Sequence, residues 1–170
     1  MNVAVGARIR LAKAESHGAL LRRLLQLRKT TGEPAAVGLV NAEIEQTRSL
    51  VAADSTWIIR LVRANARELD VAFETGLLQS TAPAPVREAA KRRAQAQGGF
   101  SAGFLEIVAP FSGMQLPKDP DRELNCWLQA VVLFILFVLC AEGEIEACEM
   151  AYEVVLEFVA ECYSGDDDVS

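Results

Sequence analysis

The sequence predicts an all-α, single-domain bundle of about six to seven helices around one central apolar helix at about 120–141. Three observations carry that prediction. Hydrophobic residues make up 51% of the chain but aromatic ones only 6%, and Ala and Leu are plentiful, which favours helix over strand. Apolar residues recur at helical spacing along most of the chain. Gly and Pro fall mainly between those stretches, where they stop or start helices. At 170 residues the chain suits one domain. Residues 1–163 read as that domain and 164–170 as a short acidic C-terminal tail.

The first helix is expected over 8–30, with Leu20, Leu24 and Leu27 as its stripe and Leu21 and Leu25 beside them. Arg8, Arg10, Lys13, Arg22, Arg23, Arg28 and Lys29 make it basic, and Gly32 and Pro34 end it. A second helix over 35–52 places Val37, Val40, Ile44 and Val51 on one face. Asp54 or Ser55 reads as the cap of a third helix, about 55–78, striped by Ile58, Val62, Leu69, Phe73 and Leu77. Asp54 is weak punctuation, so the second and third helices also read as one. Pro85 suits the first turn of a fourth helix, 85–97, and Gly98 and Gly99 stop it. A short fifth helix covers 100–109, followed by a loop over 110–120. Asp119 and Pro120 then cap and open a sixth helix, 120–141, ended by Gly143. A seventh, 144–163, carries Ile145, Cys148, Tyr152, Val155, Val159 and Cys162 at spacings of three and four.

Residues 126–141 are apolar on nearly every side, with Gln129 the one strongly polar member. Those sixteen residues span roughly 24 Å as a helix. A bilayer core of about 30 Å usually takes about 20 apolar residues. Acids flank the run on both sides and Arg122 is the only base near it. A central core helix is therefore the expectation, with membrane insertion as the second reading.

Charge is uneven. Residues 119–170 carry thirteen acids against one base, Arg122, and so −12; the overall charge of −6 leaves +6 on residues 1–118. Attraction between a basic front and an acidic back within one fold accounts for this. The net acidity argues against nucleic acid as a partner. No signal-peptide pattern opens the chain, which sets the expectation of a cytoplasmic, reducing setting.

The four cysteines are arranged symmetrically. If the chain folds back at residues 143–144, Cys126 faces Cys162 and Cys140 faces Cys148. That favours an antiparallel hairpin of the sixth and seventh helices. The pairs read either as two disulfides or a redox switch, or as four small apolar core residues; a reducing setting favours the second. A four-thiolate zinc site does not fit, because the pairs would lie too far apart.

No pattern for catalysis, metal or cofactor emerges. His17, the only histidine, reads as a surface or turn residue without a partnered nucleophile. Glu142, Glu146, Glu149, Glu153, Glu157 and Glu161 read as a solvated face. No calcium loop or phosphate loop is present. Arg87, Lys91, Arg92 and Arg93 make the fourth helix basic, without aromatic residues to stack bases. The expectation is a non-enzymatic protein.

Two stretches, with the layout itself, resemble the Bcl-2 family of apoptosis regulators, its divergent viral members above all. Val86, Arg87, Glu88, Ala89 and Ala90 are similar to the start of the family's BH3 helix. Glu123, Leu124, Asn125, Cys126 and Trp127, leading into VVLFILFVL, resemble the BH1 region entering the central helix. Lys91 stands where the family has Asp, and Leu128 and Gln129 stand where it has Gly-Arg. The resemblance covers roughly 55–163. It implies a regulator that binds amphipathic, BH3-type helices of partner proteins in a groove walled by the fourth helix and the start of the sixth. Val86, Ala90, Phe100, Phe104 and Trp127 would be its groove residues. Two alternatives compete: a membrane-associated protein inserting 126–141 with its basic first helix on anionic lipid, and a self-assembling structural subunit.

Overall fold

The computed structural model describes residues 1, 3–113 and 115–163; the acidic tail at 164–170 lies outside them. Seven α-helices follow one another: α1 (Val5–Thr30), α2 (Pro34–Ala64), α3 (Ala66–Gln79), α4 (Ala84–Ala96), α5 (Phe100–Val108), α6 (Pro120–Ala141) and α7 (Ile145–Cys162). A 3-10 turn, Ala109–Ser112, continues α5. There is no strand among the described residues.

Local chemistry sets most of the boundaries. Pro34 is the first residue of α2 and Pro120 the first of α6, where a missing N–H costs nothing. Gly143 ends α6 with φ +100°. Its N–H bonds back to Cys140 O at 3.0 Å and that of Glu144 to Leu139 O at 3.1 Å, the paired closure of a Schellman motif. Gly98 and Gly99, both at positive φ, close α4 in the same way, with bonds to Gln95 and Ala94.

The expected break at Asp54 does not occur. α2 runs straight through Asp54 and Ser55, which are both buried. The chain breaks at Asn65, whose Nδ2 donates to Leu61 O at 3.0 Å; an amide turned back on its own helix competes with helix continuation. The apolar stripe crosses this break undisturbed, because Ile58, Val62, Leu69 and Phe73 are all buried. Periodicity could not locate a kink that leaves the buried face in register.

α6 is the centre of the core, with Leu124, Trp127, Val131, Leu133, Phe134 and Phe137 among its buried residues. α7 lies along it as the other arm of the hairpin, and α1 and α5 also pack on it. Gln129, the polar residue of the apolar run, donates from Nε2 to Glu161 on α7 at 3.1 Å. α6 is long and apolar enough to cross a membrane, and 61% of its most apolar window is buried inside the bundle.

Two buried faces differ from expectation. On α1 the buried residues are Leu11, Ala14, Gly18, Leu21 and Leu25, whereas Leu20 and Leu27 are exposed. Doubled leucines at 20–21 and 24–25 permit either face, and Gly18 decides between them. A Cβ on Gly18 would lie 2.5 Å from the Trp127 ring, so only glycine lets α1 approach α6 there. On α7, Ile145 is exposed while Ala147 and Ala151 are buried. The front and back charges meet as expected at two places. Arg8 pairs with Glu142 at 3.0 Å and Lys29 with Asp121, pinning α1 to both ends of α6. Both pairs are exposed, so each stabilises by at most about 1 kcal/mol.

Candidate interaction groove

A groove of about 480 Å³ lies between α3 and α4. α3 contributes Asp70, Phe73, Glu74, Leu77 and Leu78, one helical face at spacings of three and four. α4 contributes Ala84, Arg87, Glu88, Lys91, Ala94 and Gln95, again one face. Gly99 and Phe100, at the start of α5, close one end. The floor is apolar: Phe73, Ala94 and Phe100 are buried. Leu78 stands on the edge, 79% exposed.

The floor is held from beneath. Phe100 stacks on Phe73 with ring centroids 4.7 Å apart and on Tyr163 at 5.7 Å, with Phe137 and Phe158 edge-on. The Tyr163 hydroxyl donates to Phe100 O. Burial pushes the Tyr163 hydroxyl well above its ordinary pKa of 10.0, and the nearby carboxylates Asp70 and Glu106 push it the same way. Asp70 accepts from the Ser101 N–H at 2.9 Å and from its hydroxyl at 3.2 Å, so α3 caps the exposed amides at the start of α5. Arg93 donates to Ala160 O at 2.6 Å, tying α4 to the last turn of α7.

Of the five expected groove residues, only Phe100 lines this groove. Val86 is 47% exposed and Ala90 is buried, both on α4 but outside the lining. Phe104 is fully buried in the aromatic cluster under Phe100. Trp127 is fully buried on the α1–α2–α6 side, with its Nε1 donating to Ser55 Oγ at 2.9 Å and Phe111 edge-on at 6.4 Å. It lies in the core. The start of α6 does not wall the groove either. It borders a smaller hollow of about 270 Å³ with Glu106, Arg122, Glu123 and Tyr163. The sequence stripe included Phe73 and Leu77 as core; Leu78 and Arg87 were missed. The one available signal was the pair Leu77–Leu78, where a single buried stripe accounts for only one leucine.

Two further constellations depart from expectation. His17 sits within α1 rather than in a turn, and its side chain is half-buried rather than free on the surface. Its Nδ1 lies 2.7 Å from Asp54 Oδ2, and that carboxylate is nearly buried. Beside it, Ser55 Oγ donates to Val51 O at 2.7 Å while accepting from Trp127. This small polar layer where α1, α2 and α6 meet is satisfied internally.

The cysteines, expected as reduced core residues, form two disulfides, Cys126–Cys162 and Cys140–Cys148. The symmetric pairing about the α6–α7 turn is the one observed, and the bonds staple that hairpin at both ends. No group of three or more potential metal-ligating His, Cys, Asp or Glu residues occurs among the described residues. Glu142 at the end of α6 and Glu146, Glu149, Glu153, Glu157 and Glu161 on α7 are all exposed. Comparison with protein-family models, with curated proteins and with solved structures finds no match to this chain.

Proposed function

We propose that the protein is a helical interaction module that takes an amphipathic helix of a partner protein into the α3–α4 groove. The observation that carries this reading is the apolar floor of Phe73, Ala94 and Phe100 between two helices that do not close over it, with Leu77 and Leu78 along one wall. Helix-in-groove recognition uses apolar anchors at i, i+3 or i+4, and i+7, and this floor offers a trough for such a row. The narrower reading is a Bcl-2-like regulator of apoptosis that binds BH3-type helices. It rests on the local likenesses at 86–90 and 123–127 and on the central apolar helix, with the groove relocated to α3 and α4.

A fluorescence-anisotropy titration against labelled BH3-type helical peptides, with the disulfides intact, tests both levels. Saturable binding at micromolar Kd or tighter, about −8 kcal/mol or better, supports the reading if Leu78→Asp abolishes it. Absence of binding by a folded sample overturns the Bcl-2-like reading.

A second reading follows from α6, whose length and hydropathy suit a bilayer. Membrane association through 126–141 requires α6 to leave the bundle, against both disulfides and its buried contacts. Co-sedimentation with anionic vesicles before and after reduction separates the two. The disulfides also favour an oxidising compartment over a cytoplasmic one.

A further inference from the structure

Helix α1 is apolar on two opposite sides. Leu11, Ala14, Leu21 and Leu25 go into the core. Ile9, Leu20 and Leu27 stay 60%, 44% and 49% exposed, and Val5, one turn before Ile9, is 79% exposed. Ile9 to Leu20 and Leu20 to Leu27 are both close to whole numbers of helical turns, so the three form one outward row about 27 Å long. Its flanks are cationic. Along α1 there are seven bases and one acid, and the acid, Glu15, lies on the side towards α6, in a shallow trench with Arg22 and Asn125. Arg8 and Lys29 are engaged by carboxylates at the two ends of α6. Lys13, Arg23 and Arg28 are exposed and take part in no ion pair among the described residues. Arg10 lies over the Trp57 ring of α2, 4.4 Å from its centroid. The exposed Arg60 follows Trp57 by one turn, so the positive field continues onto α2.

We propose that this outward face of α1 seats the folded bundle on an anionic lipid surface. The helix lies in the plane of the membrane. Its Ile9–Leu20–Leu27 row enters the boundary between headgroups and acyl chains. Lys13, Arg23 and Arg28, with Arg10 and Arg60 beside them, face the lipid phosphates and carboxylates. The charge and the side-chain types select lipid over other occupants. A second copy placed on the same face by two-fold symmetry brings these cations against their own copies. Protein partners are held mainly by aromatic and arginine anchors, whereas this row is aliphatic. A nucleic acid would engage the cations and leave the aliphatic row without a role. The exposed glutamates sit on α7, which packs against α3, α4 and α6, so the charge asymmetry of the molecule turns α1 rather than α7 towards an anionic surface. Both disulfides stay closed and α6 stays in the bundle. The contact is therefore separate from insertion of 126–141 and from the α3–α4 groove.

The test is co-sedimentation of the intact, oxidised chain with phosphatidylcholine vesicles that contain phosphatidylserine or lack it. The protein is expected to partition onto the phosphatidylserine vesicles about tenfold more strongly or better, and to come off as salt rises. Leu27→Asp and Arg23→Glu, both at exposed positions, should each weaken that binding about tenfold or more. Arg92→Glu, the same charge change on exposed α4 surface, should leave it nearly unchanged. No binding by the folded chain, or equal binding to both vesicles, overturns the proposal. So does an equal loss with Arg92→Glu and Arg23→Glu, because net charge alone then governs the contact. Binding that appears only after reduction belongs to α6 and also overturns it. If heparin binds the same face and Leu27→Asp alters neither interaction, the surface recognises polyanions and the lipid assignment falls. Ile9→Asp repeats the apolar test should Leu27→Asp fold poorly, and the comparison of vesicles and salt leaves the protein untouched. None of these outcomes bears on the groove.

Discussion

Trp127 and Arg87 mark two regions that use the same materials differently. Around Trp127, three helices meet and their polar groups pair with one another: the indole N–H goes to Ser55, the Ser55 hydroxyl to Val51, and Asp54 meets His17. Gly18 removes the last obstacle to close approach. Around Arg87, two helices lie side by side over a buried aromatic floor, a leucine projects into solvent and the buried Arg87 Nε has no acceptor among the described residues. The first region is complete within the chain. The second stays open, and on the groove reading that difference, rather than apolar character, separates core from binding surface. Both contain aromatic rings; only one leaves a physical deficit.

The sharpest way to break this comparison is Trp127→Ala. If the residue is core, as its burial requires, truncation costs about 3–5 kcal/mol and takes the indole donor away from Ser55 Oγ. A denaturant melt should show that loss, whereas a fold retained at wild-type stability would return Trp127 to the list of contact residues. Next come the disulfides. In a chain-entropy estimate the 36-residue span of Cys126–Cys162 stabilises by about 4 kcal/mol and the 8-residue span of Cys140–Cys148 by about 2.5 kcal/mol. Paired Cys→Ser variants, melted in parallel, should keep that order. Gly18→Ala drives a methyl into the indole and should cost about 1–3 kcal/mol by overpacking, read as a lower melting temperature.

Tyr163 supplies a smaller, pH-dependent effect. Its raised pKa in the fold means that the unfolded chain releases the phenolic proton first. Stability from this group is whole below about pH 10 and falls as pH climbs past it. Tyr163→Phe should lose about 1 kcal/mol at neutral pH and flatten that alkaline decline in melts taken across the range. The smallest stability effect belongs to the groove edge. Leu78→Asp, at a side chain 79% exposed, should move stability by no more than about 0.5 kcal/mol while abolishing peptide binding. A large loss of stability there would make Leu78 part of the core and weaken the contrast.

How much of this was legible in the sequence varies by element. The limits of α6 were fully legible, because Asp119, Pro120 and Gly143 each act through local backbone chemistry. The stripe of Ile58, Val62, Leu69 and Phe73 was also legible, but the break inside it was not, since Asn65 interrupts the backbone without shifting the buried face. His17 looked inert because its partner lies 37 residues away on another helix. The groove was hardest to read. Leu77 and Leu78 are chemically alike, and only the packing of α3 leaves Leu77 half-buried and Leu78 exposed. Phe104 and Trp127 looked like contact residues because aromatic side chains serve cores and interfaces equally well.

By itself the sequence determined what is local: the helical class, most helix ends, the apolar centre at 120–141, and the symmetry that pairs the cysteines across the α6–α7 turn. These follow from side-chain periodicity, missing N–H groups and glycine's access to positive φ, none of which depends on distant residues. Tertiary structure alone decided which leucines of α1 face inward, that Trp127 is sealed in and Arg87 Nε left without an acceptor among the described residues, and that an opening remains between α3 and α4. Each of those outcomes depends on how closely two helices approach, and that distance is set by side chains far apart in the chain, such as Gly18 against Trp127.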